Sequence, residues 1–223
     1  MAFQIKTALV TLVSILAMLM PLVLATPILP ASVSVRTAKQ LNGLNVVDMD
    51  WVGPIFKDNT ANTTLSGTAQ RIWEQIIAIN PNYAAENGIY LNTTAPLTDE
   101  IASPADVYSQ LDSPNIDCSQ GMTTEFDRCW EGILYLRALG QGAGMCNSGP
   151  LSCARVSCSW DCGLFLCSLV NEVVWVPCKD IAQDSVTIQH QCNGGSSDNT
   201  DHSFTHGRYN FDDHYTEVTL QDC

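Results

Sequence analysis

Apolar positions along the chain fall into two helical stripes, two adjacent β-prone runs and a late pair of alternating runs. Over residues 68–79, Ala69, Ile72, Trp73, Ile76 and Ile79 recur on one side of a helix, with Gln70, Arg71, Glu74 and Gln75 on the other. Gly67 or Thr68 opens this helix and Asn80-Pro81 stops it. Residues 124–139 predict the strongest helix: a threonine cap, acids in the first turn, Gly140 at the end, and Phe126, Cys129, Trp130, Ile133 and Leu136 or Arg137 along one stripe. Gly132 costs about 1 kcal/mol against alanine in such a helix, which implies close backbone packing there. A further helix over residues 178–192 puts Ile181, Ala182, Ser185, Ile188 and Cys192 on a common face, between Pro177 and Asn193-Gly194-Gly195.

Between the second and third helices lie the runs on which the chain turns, residues 153–160 and 162–167. Small, β-branched or aromatic residues fill both, and Pro150, Asp161 and Gly163 punctuate them, so they read as paired strands. Cysteines on such strands alternate between the faces of the sheet and tie it to whatever covers each face. Residues 207–211 and 215–220 are the later strand candidates, after a polar loop at residues 193–206. The order helix, strand, strand, helix, strand, strand predicts an α+β, disulfide-rich sandwich, an antiparallel sheet with two helices on one face, joined to a cysteine-free N-terminal segment.

Composition fixes the setting. Residues 1–25 carry one lysine, Lys6, then an apolar run closing on Val23-Leu24-Ala25, the pattern of a signal peptide rather than a membrane anchor. No later stretch is long and apolar enough to anchor the chain stably in a membrane. All ten cysteines, Cys118, Cys129, Cys146, Cys153, Cys158, Cys162, Cys167, Cys178, Cys192 and Cys223, lie after residue 117. An even count behind an export signal predicts up to five disulfides, whose pairing, one of about 945, the spacing leaves open. Structural zinc at Cys158, Cys162 and Cys167 is the weaker reading for an exported chain. The net charge is −13, spread along the chain with no basic cluster, which disfavours nucleic acid and anionic lipid as partners.

Three segments follow: residues 1–25 the signal peptide, 26–117 an N-terminal leader or accessory segment with one helix, and 118–223 the cysteine-rich domain. Residues up to 47 read as an extended or poorly ordered leader, and the proline-bearing run 95–114 as a linker. The segment is either a pro-region or a layer packed on the domain, and no dibasic pair marks a processing site. Two glycosylation sequons begin at Asn62 and Asn92, on either side of the first helix, and predict exposed positions.

Particular residues carry a resemblance. Cys129-Trp130-Glu131-Gly132-Ile133-Leu134-Tyr135-Leu136-Arg137, Gly149-Pro150 before Cys153, Arg155-Val156-Ser157-Cys158-Ser159, the spaced Cys167, the helix ending in Cys192 and the strand ending in Cys223 are similar to a family of small cysteine-rich proteins secreted by filamentous fungi. Asp50-Trp51-Val52-Gly53-Pro54-Ile55 and Asn80-Pro81-Asn82-Tyr83 resemble the leader often joined to that domain. The resemblance implies an effector-like scaffold rather than a chemistry, loosely similar in layout to killer-toxin-like α/β sandwiches. Against that family, Cys129 and Cys162 look like additions, expected to form an extra helix-to-sheet bridge, and residues 161–172 depart from its pattern.

No catalytic residue is singled out. His202 and His206 have ligand-like spacing only on a helix, and their Asp-, Ser- and Gly-rich setting predicts a loop, so no metal or cofactor is expected. Ser157 and Ser159 lack a nucleophile elbow, and the glycines of residues 140–144 lack the strand and lysine of a phosphate loop. The expectation is a secreted, extracellular, non-enzymatic protein that binds an extracellular protein, a glycan or a cell-surface target. The alternative is a small secreted hydrolase, polysaccharide-acting, using acidic residues of the loop at 193–214. A pocket with two facing carboxylates favours the enzyme; an exposed apolar patch around residues 164–174 favours the binder; a purely structural wall component, the third possibility, predicts neither.

Overall fold

A computed structural model of the chain describes residues 40–91, 115–192 and 204–223. The expected signal peptide, Asn92, the linker, and His202 lie outside these. The sheet is organised on β2 (Leu44–Phe56), a strand long enough to serve two sets of neighbours. It is entered through β1 (Gln40–Leu41) and left through β3 (Asn59–Gly67), both antiparallel to it. Asp48 marks a change of partner: before it β2 runs parallel to β7 (Ser152–Ser159), and from Trp51 it runs antiparallel to β6 (Met145–Ser148). With β4 (Ile116–Asp117), β8 (Cys162–Ser168), β9 (Val174–Pro177), β11 (Gly207–Asn210) and β12 (His214–Leu220), the order across the sheet is β4-β11-β12-β8-β7-β2-β6-β9. A separate two-residue pair joins β5 (Thr124–Glu125) to β10 (Phe204–Thr205).

Helix α1 (Ala69–Ile79) is capped by Thr68, whose hydroxyl accepts from the Arg71 amide, and ends at Asn80. Ala69, Ile72 and Ile76 are buried as the stripe predicts, and Trp73 is half-buried against Tyr83 and Tyr135. Ile79, by contrast, is exposed, and Gln70 on the supposed polar side donates to Ser157 Oγ at 3.0 Å. A short α2 (Tyr83–Glu86) follows. Helix α3 (Phe126–Gln141) differs at both ends from expectation: Thr124 belongs to β5 and caps nothing, and the helix runs through Gly140 to Gln141. Gly140 serves close packing there rather than a stop: α4 (Cys178–Cys192) crosses so closely that a Cβ at this position would sit 2.4 Å from the Lys179 amide nitrogen.

The core lies between these helices and one face of the sheet. Ile133, Leu136 and Leu139 of α3 and Ile181, Val186 and Ile188 of α4 pack with Ala154, Val156, Leu164, Leu166 and Val218 from the strands. Met49, Trp51 and Ile55 of β2 join the same core, and residues 40–47, expected within an extended leader, instead form the β1–β2 hairpin and the start of the pairing with β7. Gly132 fits against β7, where a Cβ would lie 2.1 Å from Ser157 Oγ, as its cost in the helix implies. On the opposite face a smaller cluster, Cys153, Phe165, Cys167 and Tyr215, is covered by Leu41, Leu44 and Val46 of the β1–β2 hairpin.

All ten cysteines are paired. Cys153–Cys167 joins facing residues of β7 and β8; Cys158–Cys223 ties the far end of β7 to the chain terminus; Cys129–Cys162 ties α3 to β8. Cys146–Cys178 and Cys118–Cys192 hold the two ends of α4. The helix-to-sheet bridge expected of Cys129 and Cys162 is therefore present, and the thiols are unavailable as zinc ligands. Each bridge contributes about 2–4 kcal/mol, chiefly by restricting the unfolded chain.

Candidate functional site

The most exposed indole among the described residues sits at the tip of the β7–β8 hairpin. Ser159 and Cys162 are the last paired residues, so Trp160 and Asp161 form a two-residue turn, with φ of 50° and 66°. Such a turn places both residues in the left-handed region and is normally filled by Asn-Gly, since the side chain crowds the backbone at a cost of about 1–2 kcal/mol per residue. A tryptophan at the first position is a costly choice, and the residue is 73% exposed, so little burial offsets the cost.

The turn is nevertheless held on every side. Cys158 and Cys162, two residues before Trp160 and two after, are both disulfide-bonded, to Cys223 and Cys129. The Asp161 carbonyl accepts from the Gln221 amide at 2.9 Å, and its carboxylate lies 3.6 Å from Arg128 Nη1. Arg128 also pairs with Glu125 at 2.9 Å. The indole Nε1–H points to Glu131 Oε2 of α3 at 3.3 Å, which orients the ring by its edge and leaves its faces open. Met122 and Leu220, 61% and 37% exposed and joined by a backbone hydrogen bond, lie at the same end of the sheet. This end of the sheet thus presents an exposed indole fixed at its edge, exposed apolar surface at Met122 and Leu220, and acceptor carboxylates.

A second polar group is buried beneath the β1–β2 hairpin. Glu217 of β12 is fully covered; one oxygen, Oε2, accepts from Arg208 Nε at 2.7 Å and from Asn42 Nδ2 at 2.8 Å. Burial pushes its carboxyl up, and Arg208 and Asn42 oppose the shift. Arg208 also stacks on Tyr215 at 4.4 Å. Among the described residues, Glu217 Oε1, Arg208 Nη2 and Arg155 Nε are buried without a hydrogen-bond partner. Asn42 and Gly43 make the left-handed hairpin turn that delivers the amide, an Asn-Gly signal legible in the sequence. This group fastens the hairpin to the sheet.

On the helix side, burial pushes the Asp184 carboxyl up to about 7; the Thr216 hydroxyl that donates to it at 2.9 Å lowers it, and the Asp180 charge adds to the rise. The carboxyl sits between α4 and β12, packed rather than presented to a substrate. A shallow cavity of about 280 Å³ is lined by Phe56, Lys57, Asp58 and Glu86. Its Asp58 is exposed and its Glu86 is engaged by Asn80 Nδ2 at 2.9 Å, so neither acid is held in an apolar setting.

The apolar patch sought around residues 164–174 is mostly inside: Leu164, Phe165, Leu166 and Cys167 are buried because β8 lies in the middle of the sheet with both faces covered. Only Leu169 and Val173 surface there, near Leu151. Of the acidic loop, Asp212 and Asp213 are exposed, and Asp213 pairs with His214, which stacks on Phe211 at 4.3 Å. His206 Nδ1 lies 3.2 Å from Thr123 Oγ1. Among the described residues no group of three or more His, Cys, Asp or Glu side chains is gathered to hold a metal, and no helix is long and apolar enough to cross a membrane. Asn62 is exposed on β3, where a glycan has room. No family model, curated protein or solved structure matches the chain.

Proposed function

We propose that this is an exported, non-enzymatic binding protein, effector-like or killer-toxin-like in the manner its sequence resembles, and that the Trp160 tip is its contact surface outside the cell. One observation carries the reading: an exposed tryptophan held in a conformation it disfavours, between two crosslinked cysteines. Strain of this kind persists only where the surroundings over-determine it, and it collects at sites of recognition. A rigid aromatic anchor also loses little entropy on binding, which is why tryptophan dominates the energetics of many interfaces.

The test uses the oxidised chain, labelled away from the tip, on intact cells and on isolated cell walls. The native protein should bind saturably and Trp160→Ala should weaken binding at least tenfold with its five disulfides intact by mass. Equal binding by the two proteins would remove the tip from the reading. Exported material whose mass begins at Thr26, and in which no thiol is alkylated before reduction, is the expected companion result. Release of sugar from wall polysaccharide by the native chain would instead favour the hydrolase.

A further inference from the structure

We infer that the Trp160 tip receives a cationic side chain, a lysine or arginine presented by a basic segment of a partner protein, seated on the indole between Glu131 and Asp161. This rests on the reading of the tip as a contact surface and adds the chemistry of what it contacts.

The groups within reach are acceptors. Glu131 touches the ring edge, Asp161 is the next residue, and Glu125 lies behind Arg128. Among the described residues the cation of this group, Arg128, is already shared between Glu125 and Asp161. A carboxylate accepts hydrogen bonds and cannot donate them, so the tip is complementary to a group that only donates. Ammonium and guanidinium groups do so, and both are drawn to the face of an indole, the strongest of the aromatic platforms for a cation. Met122 and Leu220 complete the match, because lysine and arginine carry a long apolar stem that lies along apolar surface while the charged head stays near water. The overall charge of −13 steers a basic partner toward the protein before contact. A glycan would use the same ring, but its hydroxyls gain from donors as well as acceptors, and among the described residues the charged donor at the tip is Arg128, already engaged.

The experiment titrates the oxidised full chain with three probes: an amidated alternating Lys-Gly octapeptide, its Glu-Gly counterpart, and chitohexaose, followed by calorimetry at 20 and 300 mM NaCl. The Lys-Gly peptide alone should bind, and binding should weaken about tenfold or more at the higher salt. Trp160→Ala should abolish it, Trp160→Phe should retain part of it, and Glu131→Gln should weaken it severalfold with unchanged thermal stability. Binding of chitohexaose or the Glu-Gly peptide in a Trp160-dependent way, or Lys-Gly binding indifferent to Trp160→Ala, overturns the inference. If Trp160→Ala loses cell and wall binding yet no variant responds to the lysine peptide, the contact surface stands and its cationic partner falls. If Trp160→Ala binds cells as the native chain does, both fall.

Discussion

Gly132→Ala separates two effects that pull in opposite directions. Helix propensity alone favours the substitution by about 1 kcal/mol, because alanine is the better helix former. Against this, a Cβ at position 132 would meet Ser157 Oγ at 2.1 Å and Ser157 Cβ at 2.7 Å. Rotating the hydroxyl away relieves the first contact and not the second, so α3 or β7 must shift. Overpacking of this kind costs about 1–3 kcal/mol. The shift also disturbs the hydrogen bond from Gln70 to Ser157 that fastens α1 to β7, worth about 1 kcal/mol. Summed, the variant should be less stable by about 1–3 kcal/mol, and its melting temperature should fall by about 2–4 °C for each. Urea unfolding of the oxidised protein should show a lower midpoint at unchanged slope. A double-mutant cycle with Ser157→Gly should return a coupling of at least about 1 kcal/mol, since that change removes both clashing atoms. A Gly132→Ala protein more stable than the native one would refute the close seating of α3 on β7.

Replacing Trp160-Asp161 by Asn-Gly, the pair the turn prefers, should raise stability by about 1 kcal/mol while abolishing target binding, as denaturant unfolding and the cell-binding assay would report. A loss of stability would mean that the native turn is not strained. Asp184, raised from 3.8 to about 7, holds more protons folded than unfolded between those values, so its contribution to stability is lost as pH rises through that window and is flat outside it. Asp184→Asn keeps an acceptor for Thr216 and should flatten this fall; parallel native and variant profiles from pH 4 to 7 would contradict the assignment. Among the bridges, opening Cys118–Cys192 by serine substitution should cost more than opening Cys153–Cys167, about 4.5 against about 3 kcal/mol from loop closure over separations of 74 and 14 residues, read by guanidinium unfolding. The reverse order would show that loop closure does not govern them.

Where burial and local pattern agree, the sequence was readable. Helices α1 and α4, the β7–β8 pair and the close approach at Gly132 follow from residues whose local preference matches their tertiary surroundings, whereas the expectation of the Cys129–Cys162 bridge rests on the family resemblance. β3 was hidden because Asn59–Gly67 is polar and carries a sequon, as a loop would; it is a strand because β2 supplies its partner. β2 itself alternates Met49, Trp51, Gly53 and Ile55 toward the core, but Gly53 and Pro54 interrupt the pattern. The tip was half legible. Asp161 marked a turn, yet only the structure reveals that Trp160 occupies it and faces solvent, since a tryptophan beside a strand is ordinarily buried.

The position of β2 has one more consequence. Five covalent staples bind residues 118–223 to themselves, and none reaches residues 40–91, which are held by backbone pairing, apolar contact and side-chain hydrogen bonds such as those of Asn42 and Gln70. Proteolytic nicking between residues 91 and 115 would therefore yield a two-piece assembly, in which the shorter fragment behaves as an exchangeable inserted strand. Its departure would expose the flanks of β7 and β6 as sticky borders, ready to accept a strand from a neighbouring copy.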